Sequence, residues 1–531
     1  MAAPEQNEKK PSDGQSSTKS TSPFNAEFAQ FAKETLEQWK VPGVSLAVID
    51  GDQVYAEGYG FASLPDTPAT PETVWYGAST TKAFTAAALA HIIAEKKYPA
   101  LSKGWSTKIS SIIRDDFVLQ DDWMTQNLNL EDAVCHRTGM PRHDMANHNE
   151  DEKGNKLWPR DVVRNLRNLK VTGEPRTKFM YCNIMYVVLS HVIETLAEEG
   201  LGEVLKKQIW EPLGMNSTYF SPEDAKKSGP IAMGYHWDKK AEKYIPLEEM
   251  ATNEISGAGA MLSTVLDYTK WLKCLLHEEA PFSKDTHKDI RTPRIVGAMP
   301  NGAKDVNMYG LGWERTIYKG HILHAHSGGM HAFGSQVYWL PEHKFGVVAF
   351  GNTLLSSNAA EDVLCYKLIN DKLGLPDTSR HDYNKHWRDM LDGAAKSNAS
   401  ALDRLYPDRP NPALPPSLKT SCFVGTYADA GYGSFTLREE PHPERSDETI
   451  LVADRPRTTW RYVMKLHHVT GDYWIIYTEL QGVADAIANS IVGGQFKIGV
   501  DGQVSSLDIH WENYLGPATD GGVVSFKKTG S

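Results

Sequence analysis

The chain has 531 residues, 40% of them hydrophobic and 23% charged, with 42 Gly, 29 Pro and 14 Trp, the profile of a folded protein with more than one domain rather than a disordered or fibrous one. Acidic residues outnumber basic ones, 67 against 56, and the formal charge of -11 repels phosphate backbones and anionic lipid, so nucleic acid is excluded as an expected partner. No window reaches the roughly 20 consecutive apolar residues of a spanning helix, no charged-then-apolar leader opens the chain, and the 5 scattered cysteines form no CxxC pair, which predicts no membrane contact and a reducing, cytoplasmic setting.

Residues 1–22 are polar and Ser-, Lys- and Pro-rich, and such a segment is expected to be a disordered tail. From Phe24 a helical period appears, with Phe24, Phe28, Phe31 and Leu36 near one face, until Val41-Pro42-Gly43 breaks it. VSLAVIDGDQVYAEGYG reads as a hairpin about Asp50-Gly51. Ser79 opens a run of helix formers, TKAFTAAALAHIIAEKK, and helical patterns recur over Tyr186–Glu199 and Val265–Leu276. Strand-like runs return at HILHAH, GSQVYWL and FGVVAFGN. This order predicts an α+β domain over 23–375, with sequence-distant strands side by side in one sheet. Residues 376–417 turn polar and then Pro-rich and are expected to be a linker rather than a packed element. Beyond it, over 418–531, short β-branched and aromatic runs separated by Gly and Asp turns predict a small all-β barrel or sandwich.

Three constellations could carry chemistry. In Ser79-Thr80-Thr81-Lys82 the i,i+3 spacing on a first helical turn places hydroxyl and amine on one face, where a neutral amine can take the serine proton and the helix dipole favours a developing oxyanion. Taken alone, the pattern equally suits an N-cap serine beside a surface lysine. Ser16/Lys19 and Ser525/Lys528 repeat it, in the tail and in a strand where the two side chains point to opposite faces. Tyr181-Cys182-Asn183 is the only Y-x-N among 22 tyrosines. Two-residue spacing aims phenol and amide the same way, and Lys82 is the expected cation that lowers the tyrosine's pKa. Packing alone would also explain both residues. His326-Ser327-Gly328-Gly329 ends a strand, and paired glycines at an edge let a substrate lie against the backbone and offer free N–H groups. His136, His143, Asp144 and His148 also cluster, but in a polar, irregular loop that reads as solvated surface rather than a metal site. G-x-S-x-G, H-E-x-x-H, G-x-x-x-x-G-K-[ST] and G-x-G-x-x-G are all absent from the sequence, which leaves nucleophile-elbow, zincin, P-loop and Rossmann mechanisms without support.

In order, Ser79-x-x-Lys82, Tyr181-x-Asn183 and His326-x-Gly328 resemble the three motifs of the serine β-lactamase and penicillin-binding-protein superfamily, in the branch of class C β-lactamases and family VIII carboxylesterases. VWYGASTTKAFTAAALA, CHRTGMPRHD, IWEPLGMNSTYF and SGAGAMLSTVLDYTKWL are similar to that branch as well. The resemblance covers about 25–370 and implies a β-lactamase/transpeptidase-like fold, followed by a lipocalin-like β domain. It further implies that Ser79 attacks an ester or amide carbonyl, that Lys82 and Tyr181 share the proton transfer, and that Asn183 holds the acyl side chain. The backbone N–H groups of Ser79 and Gly329 would form the oxyanion hole, with His326 and Gly328 on the same wall. No metal or organic cofactor is implied. The family's third motif is usually Lys-Thr-Gly. Here His326 replaces the lysine, and a literal Lys528-Thr529-Gly530 reads as the chain end. A histidine carries little charge near neutral pH, which weakens recognition of a substrate carboxylate. The expected activity is therefore that of a serine hydrolase on small esters, amides or lactams, with acyl transfer to a metabolite, D-amino-acid peptidase activity and a catalytically silent binding scaffold as alternatives. A homo-oligomer is compatible with the sequence.

Overall fold

The computed structural model describes residues 22–299, 304–445, 448–481, 483, 490–511 and 522–530; the expected tail over 1–22 falls almost wholly outside them. Asn25 caps the first helix, Ala26–Trp39, by accepting from the Phe28 N–H at 2.9 Å. The hairpin about Asp50-Gly51 forms as expected, Gly43–Asp50 with Gln53–Ser63.

Gly43–Asp50 also pairs antiparallel with Phe345–Gly351, Val44 opposite Gly351 and Asp50 opposite Phe345. The two ends of the α+β region thus meet in one nine-stranded sheet. Its order runs from Thr67–Pro68 through Gln53–Ser63, Gly43–Asp50, Phe345–Gly351, Phe333–Leu340, His321–Met330, Glu314–Tyr318 and Asn307–Tyr309 to Ile295–Ala298. Alternation along Gly43–Asp50 divides the core. Val44, Leu46 and Val48 pack with the helices Ala26–Trp39 and Ser356–Lys372, whereas Ala47 and Ile49 join the larger core on the other face.

That larger core contains the helix Thr81–Glu95, whose alanines Ala83, Ala86, Ala87, Ala88 and Ala90 are all buried. Small side chains all round let neighbouring elements close on a central helix. This fixes the one turn ahead of it, Ala78–Thr80, against the strand His321–Met330: a Cβ on Gly328 would lie 2.7 Å from the Gly77 carbonyl oxygen.

The stretch expected to be a linker is different in its first half, where helices span Tyr383–Ala399 and Ala401–Leu405. Tyr383 stacks on Tyr366 at 3.8 Å, Trp387 donates to Asp362 at 2.8 Å, and Asn384 accepts from Gln38 and Trp39 at 2.7 and 2.9 Å. A few aromatic and polar anchors hold this helix in place of an apolar stripe, so its composition resembles a linker. The Pro-rich remainder is irregular.

Eight strands from Gly425–Asp429 to Val523–Gly530 close into an antiparallel barrel, which deprives the sheet of open edges. Tyr427, Phe435, Trp474, Phe496 and Phe526 are buried in its core. Lys528-Thr529-Gly530 lies in the closing strand, where the Lys528 ammonium donates to the Cys422 carbonyl at 2.7 Å. Among the described residues no helix is long and apolar enough to cross a membrane.

Candidate active site

Ser79 sits in the single turn that precedes the buried helix. Ala78 beside it has φ of +47°, a left-handed conformation that costs a Cβ-bearing residue energy and that the packed surroundings must hold. Lys82, one turn on, is buried. Its Nζ lies 2.8 Å from Asn183 Oδ1, 2.7 Å from the Ala258 carbonyl and 3.1 Å from Ser79 Oγ. Burial, followed by the nearby Arg142 charge, pushes the amine well below the ordinary lysine range of 10.5. A neutral amine has two N–H donors and one lone pair. In the neutral form, with both donors on Asn183 and Ala258, the lone pair is left for the Ser79 hydroxyl.

Tyr181 is hydrogen-bonded to Ser79, and burial raises its pKa more than Arg142 and that hydrogen bond lower it. The phenol therefore keeps its proton. Lys82, the cation expected to act on it, has Nζ 4.9 Å from the ring centre. Arg142 lies over the same ring, with its guanidinium carbon 5.0 Å from the centre. His136 packs on the same ring at 4.3 Å and accepts the Cys182 N–H on Nδ1 at 3.1 Å.

Asn183 opens the helix Asn183–Ala197. Its amide nitrogen donates to Asp144 at 3.1 Å while Asp144 takes Arg142 at 2.6 Å. His143, at φ of +49°, is bound on Nδ1 by the Tyr432 hydroxyl of the barrel and on Nε2 by the Lys170 carbonyl, both at 2.7 Å. The loop read as solvated surface is thus largely buried. His136, His143 and Asp144 have under a tenth of their surface exposed: the barrel's Tyr432 covers His143, whereas His136 packs among Phe179, Tyr181, Tyr186 and Tyr309. Each of its histidines has its own protein partner, His148 on the Ala146 carbonyl at 2.9 Å. Among the described residues a close group of metal-type ligands occurs elsewhere, as His321, Glu342 and His343, at the far end of the strand that carries Gly329.

His326 is buried, with Nδ1 donating to the Ser327 carbonyl at 2.7 Å and Nε2 accepting the Tyr309 hydroxyl at 3.1 Å. Burial, with Lys82 second, lowers its pKa to about 3, so it is neutral, as the sequence suggested. Both ring nitrogens serve protein partners, which places it behind the cleft wall. Gly328 is held by Asn358, which donates to its carbonyl at 2.8 Å, and Ser335 donates to the Gly77 carbonyl at 3.0 Å. Gly329 is exposed. Sequence reasoning missed the Ala258 carbonyl and Arg142 and read His136 and Asp144 as solvated surface; the signal present was the stretches CHRTGMPRHD and SGAGAM that surround them.

A Ser-Lys-Tyr-Asn cluster between an antiparallel sheet and a central helix, with Lys82 buried and the other three half-buried, is the arrangement of the class of active-site serine proteins that includes β-lactamases and penicillin-binding proteins. The family model described as Beta-lactamase matches residues 28–364, and the chain belongs to that family. It is 36% identical to the Unguisins hydrolase ungD' of Aspergillus campestris, over 93% of this chain and 91% of that protein, and 35% identical to the Unguisins hydrolase ungD of Aspergillus violaceofuscus, over 93% and 89%. Among solved structures, the octameric penicillin-binding protein homologue from Pyrococcus abyssi aligns with TM-score 0.59 and 23% identity over 91% of this chain and 97% of that one. The class C beta lactamase from Rhodobacter sphaeroides aligns with TM-score 0.50 and 20% identity over 65% and 100%. These two show the fold.

Proposed function

We propose that this protein hydrolyses ester or amide bonds through an acyl-enzyme on Ser79. The observation that carries the reading is the buried Lys82 amine, 2.8 Å from Asn183 Oδ1, 2.7 Å from the Ala258 carbonyl and 3.1 Å from Ser79 Oγ. Lys82 takes the hydroxyl proton as Oγ bonds to the carbonyl carbon, and the oxyanion forms beside the N–H groups of Ser79 and Gly329. Collapse expels the alcohol or amine, which leaves with a proton relayed from Lys82 through the protonated Tyr181. Water then adds to the acyl carbon by the same exchange in reverse. Asn183 fixes one of the Lys82 donors and faces the acyl group.

Two hydrolase-named relatives aligned over nine-tenths of the chain support water as the acceptor. Neutral His326 supports substrates without a carboxylate beside the scissile bond. The test is intact-mass spectrometry after brief exposure to p-nitrophenyl butyrate, with turnover followed in parallel. Wild type gains a butyryl mass and releases nitrophenol, whereas Ser79→Ala does neither. Turnover retained in Ser79→Ala overturns the assignment. Faster discharge of the acyl-enzyme by added alcohols or amines than by water would favour acyl transfer.

A further inference from the structure

At the opposite end of the His321–Met330 strand from Gly329 stands a group of side chains that the reaction does not use. His321 opens the strand directly after the tight turn at Lys319 and Gly320, whose φ values are +50° and +88°. Glu342 and His343 belong to the single turn Pro341–His343, which joins Phe333–Leu340 to Phe345–Gly351. The register that sets His324 opposite Trp339 brings His321 level with Glu342, so the two turns stand side by side. By alternation His321 shares the face of Leu323 and Ala325 rather than that of His324 and His326.

His343 Nε2 and His321 Nδ1 are 2.9 Å apart, with ring centres at 4.6 Å and ring planes at 75°. One nitrogen donates and the other accepts, so a single proton sits between two lone pairs. One ligand atom from each of His321, Glu342 and His343 lies within 4.8 Å of the other two. Both rings are half-buried and Glu342 is exposed. Burial, followed by the charges of His321 and Lys372, lowers the His343 pKa, which leaves this ring unprotonated and available as a ligand near neutral pH. Lys372 is itself paired with Asp50 at 2.6 Å, and Lys344 donates to the Leu276 carbonyl at 2.5 Å.

Between rings that water can reach, a bond of one imidazole to the other contributes little, because water serves either partner as well. An ion in place of the shared proton would gain two nitrogens and an oxygen at once. Two nitrogens on one zinc ion at ~2.0–2.1 Å in tetrahedral geometry stand about 3.3 Å apart. The rings need open only slightly to reach that spacing, and the exposed Glu342 side chain can swing to the third position. Two imidazoles and one carboxylate suit zinc, copper(II) or nickel(II), whereas calcium and magnesium take oxygen ligands.

We propose that His321, Glu342 and His343 form a binding site for a divalent transition-metal ion, zinc first, that ties the two turns together. The site is separate from the acyl-enzyme centre: His321 and Gly329 are eight positions apart on one strand, about 26 Å along an extended backbone. The ion therefore stabilises this end of the sheet without touching the reacting carbonyl, and the proposal does not depend on the catalytic reading.

The experiment uses the full chain without a histidine tag, stripped with EDTA and desalted, and titrated with zinc chloride in a calorimeter near neutral pH. Wild type should bind one zinc per chain at micromolar concentrations. Affinity should fall about tenfold or more in each of His321→Gln, Glu342→Gln and His343→Gln, at least the loss that removing an outer-shell partner causes. All three side chains are at least partly exposed, so their replacement does not threaten folding. Because zinc would bind the folded chain through residues brought together by folding, it should raise the urea midpoint of wild type and not that of the histidine variants. Copper(II) in the same site should show imidazole nitrogen couplings in its electron paramagnetic resonance spectrum, lost when both histidines are replaced. Absence of one-to-one binding, wild-type affinity in any of the three variants, or a urea midpoint that zinc leaves unmoved overturns the site.

Discussion

Glu254 gives the structure a quantitative pH test. Its residue is 1% exposed, Oε1 accepts the Thr459 hydroxyl of the barrel at 2.7 Å and Oε2 has no partner. Burial pushes the carboxyl from 4.5 to about 7, with the Thr459 bond opposing. The folded protein therefore binds this proton more tightly than the unfolded chain. The resulting stabilisation is full below pH 4.5 and is lost as pH rises through about 7. At about 1.36 kcal/mol per pKa unit the displacement amounts to about 3 kcal/mol. Glu254→Gln keeps an acceptor for Thr459 and removes the titration. Buried histidines slope the other way: His324 and His326 are lowered to about 3 and His148 to about 4, so their contribution is lost as pH falls below 6.5. They are common to both proteins and cancel in the difference. Urea unfolding followed by tryptophan fluorescence at pH 5, 6, 7 and 8 should show Glu254→Gln gaining about 3 kcal/mol on wild type across the range. Parallel stability profiles would refute a buried carboxyl that folds protonated.

Lys82→Arg places a permanent cation where a lone pair is needed, and acylation by p-nitrophenyl butyrate should fall about 10²–10⁴-fold in stopped-flow bursts. In wild type the acylation rate should rise with pH through a value well below 10.5 and then level off, as the amine sheds its proton. Tyr432→Phe strips the hydroxyl from His143 Nδ1 and leaves a buried group unpaired, at a cost of about 1–3 kcal/mol by chemical denaturation. Loosening of Asp144 and Asn183 should also lower kcat, and a variant with wild-type stability would count against the link between barrel and site. Gly328→Ala forces a Cβ to within 2.1 Å of Ser335 Oγ and 2.7 Å of the Gly77 carbonyl; the Ser79 turn must shift, and kcat/KM should drop about 10²-fold while circular dichroism stays unchanged.

What the sequence discloses about the site is what is local to it. Ser79 and Lys82 lie one helical turn apart and Tyr181 and Asn183 two residues apart, so spacing alone aims each pair. Ala258 contributes a carbonyl that any residue would carry, and nothing in its side chain marks it. His143 and Asp144 look solvated because their cover, Tyr432, is 289 residues away. The helix Tyr383–Ala399 is hidden for a related reason: its contacts are single rings and amides on distant partners, not a repeating apolar face. The barrel strands announce themselves by alternation, whereas closure between Gly425–Asp429 and Val523–Gly530 is a property of eight strands together.

The histidine at 326 fits the rest of the site electrostatically. Burial lowers the pKa of His326, and burial followed by the Arg142 charge lowers that of Lys82. A lysine at 326 would set a further cationic group beside Arg142 and Lys82, where an added buried charge is costly unless a partner accompanies it. Arg142, the cation that does remain, is committed to Asp144 at 2.6 Å and to the face of Tyr181 at 5.0 Å. An anionic substrate group would have to compete with Asp144 for it. In the acyl-enzyme reading proposed above, a carboxylate beside Ser79 would therefore have to break an ion pair that a neutral acyl group leaves intact.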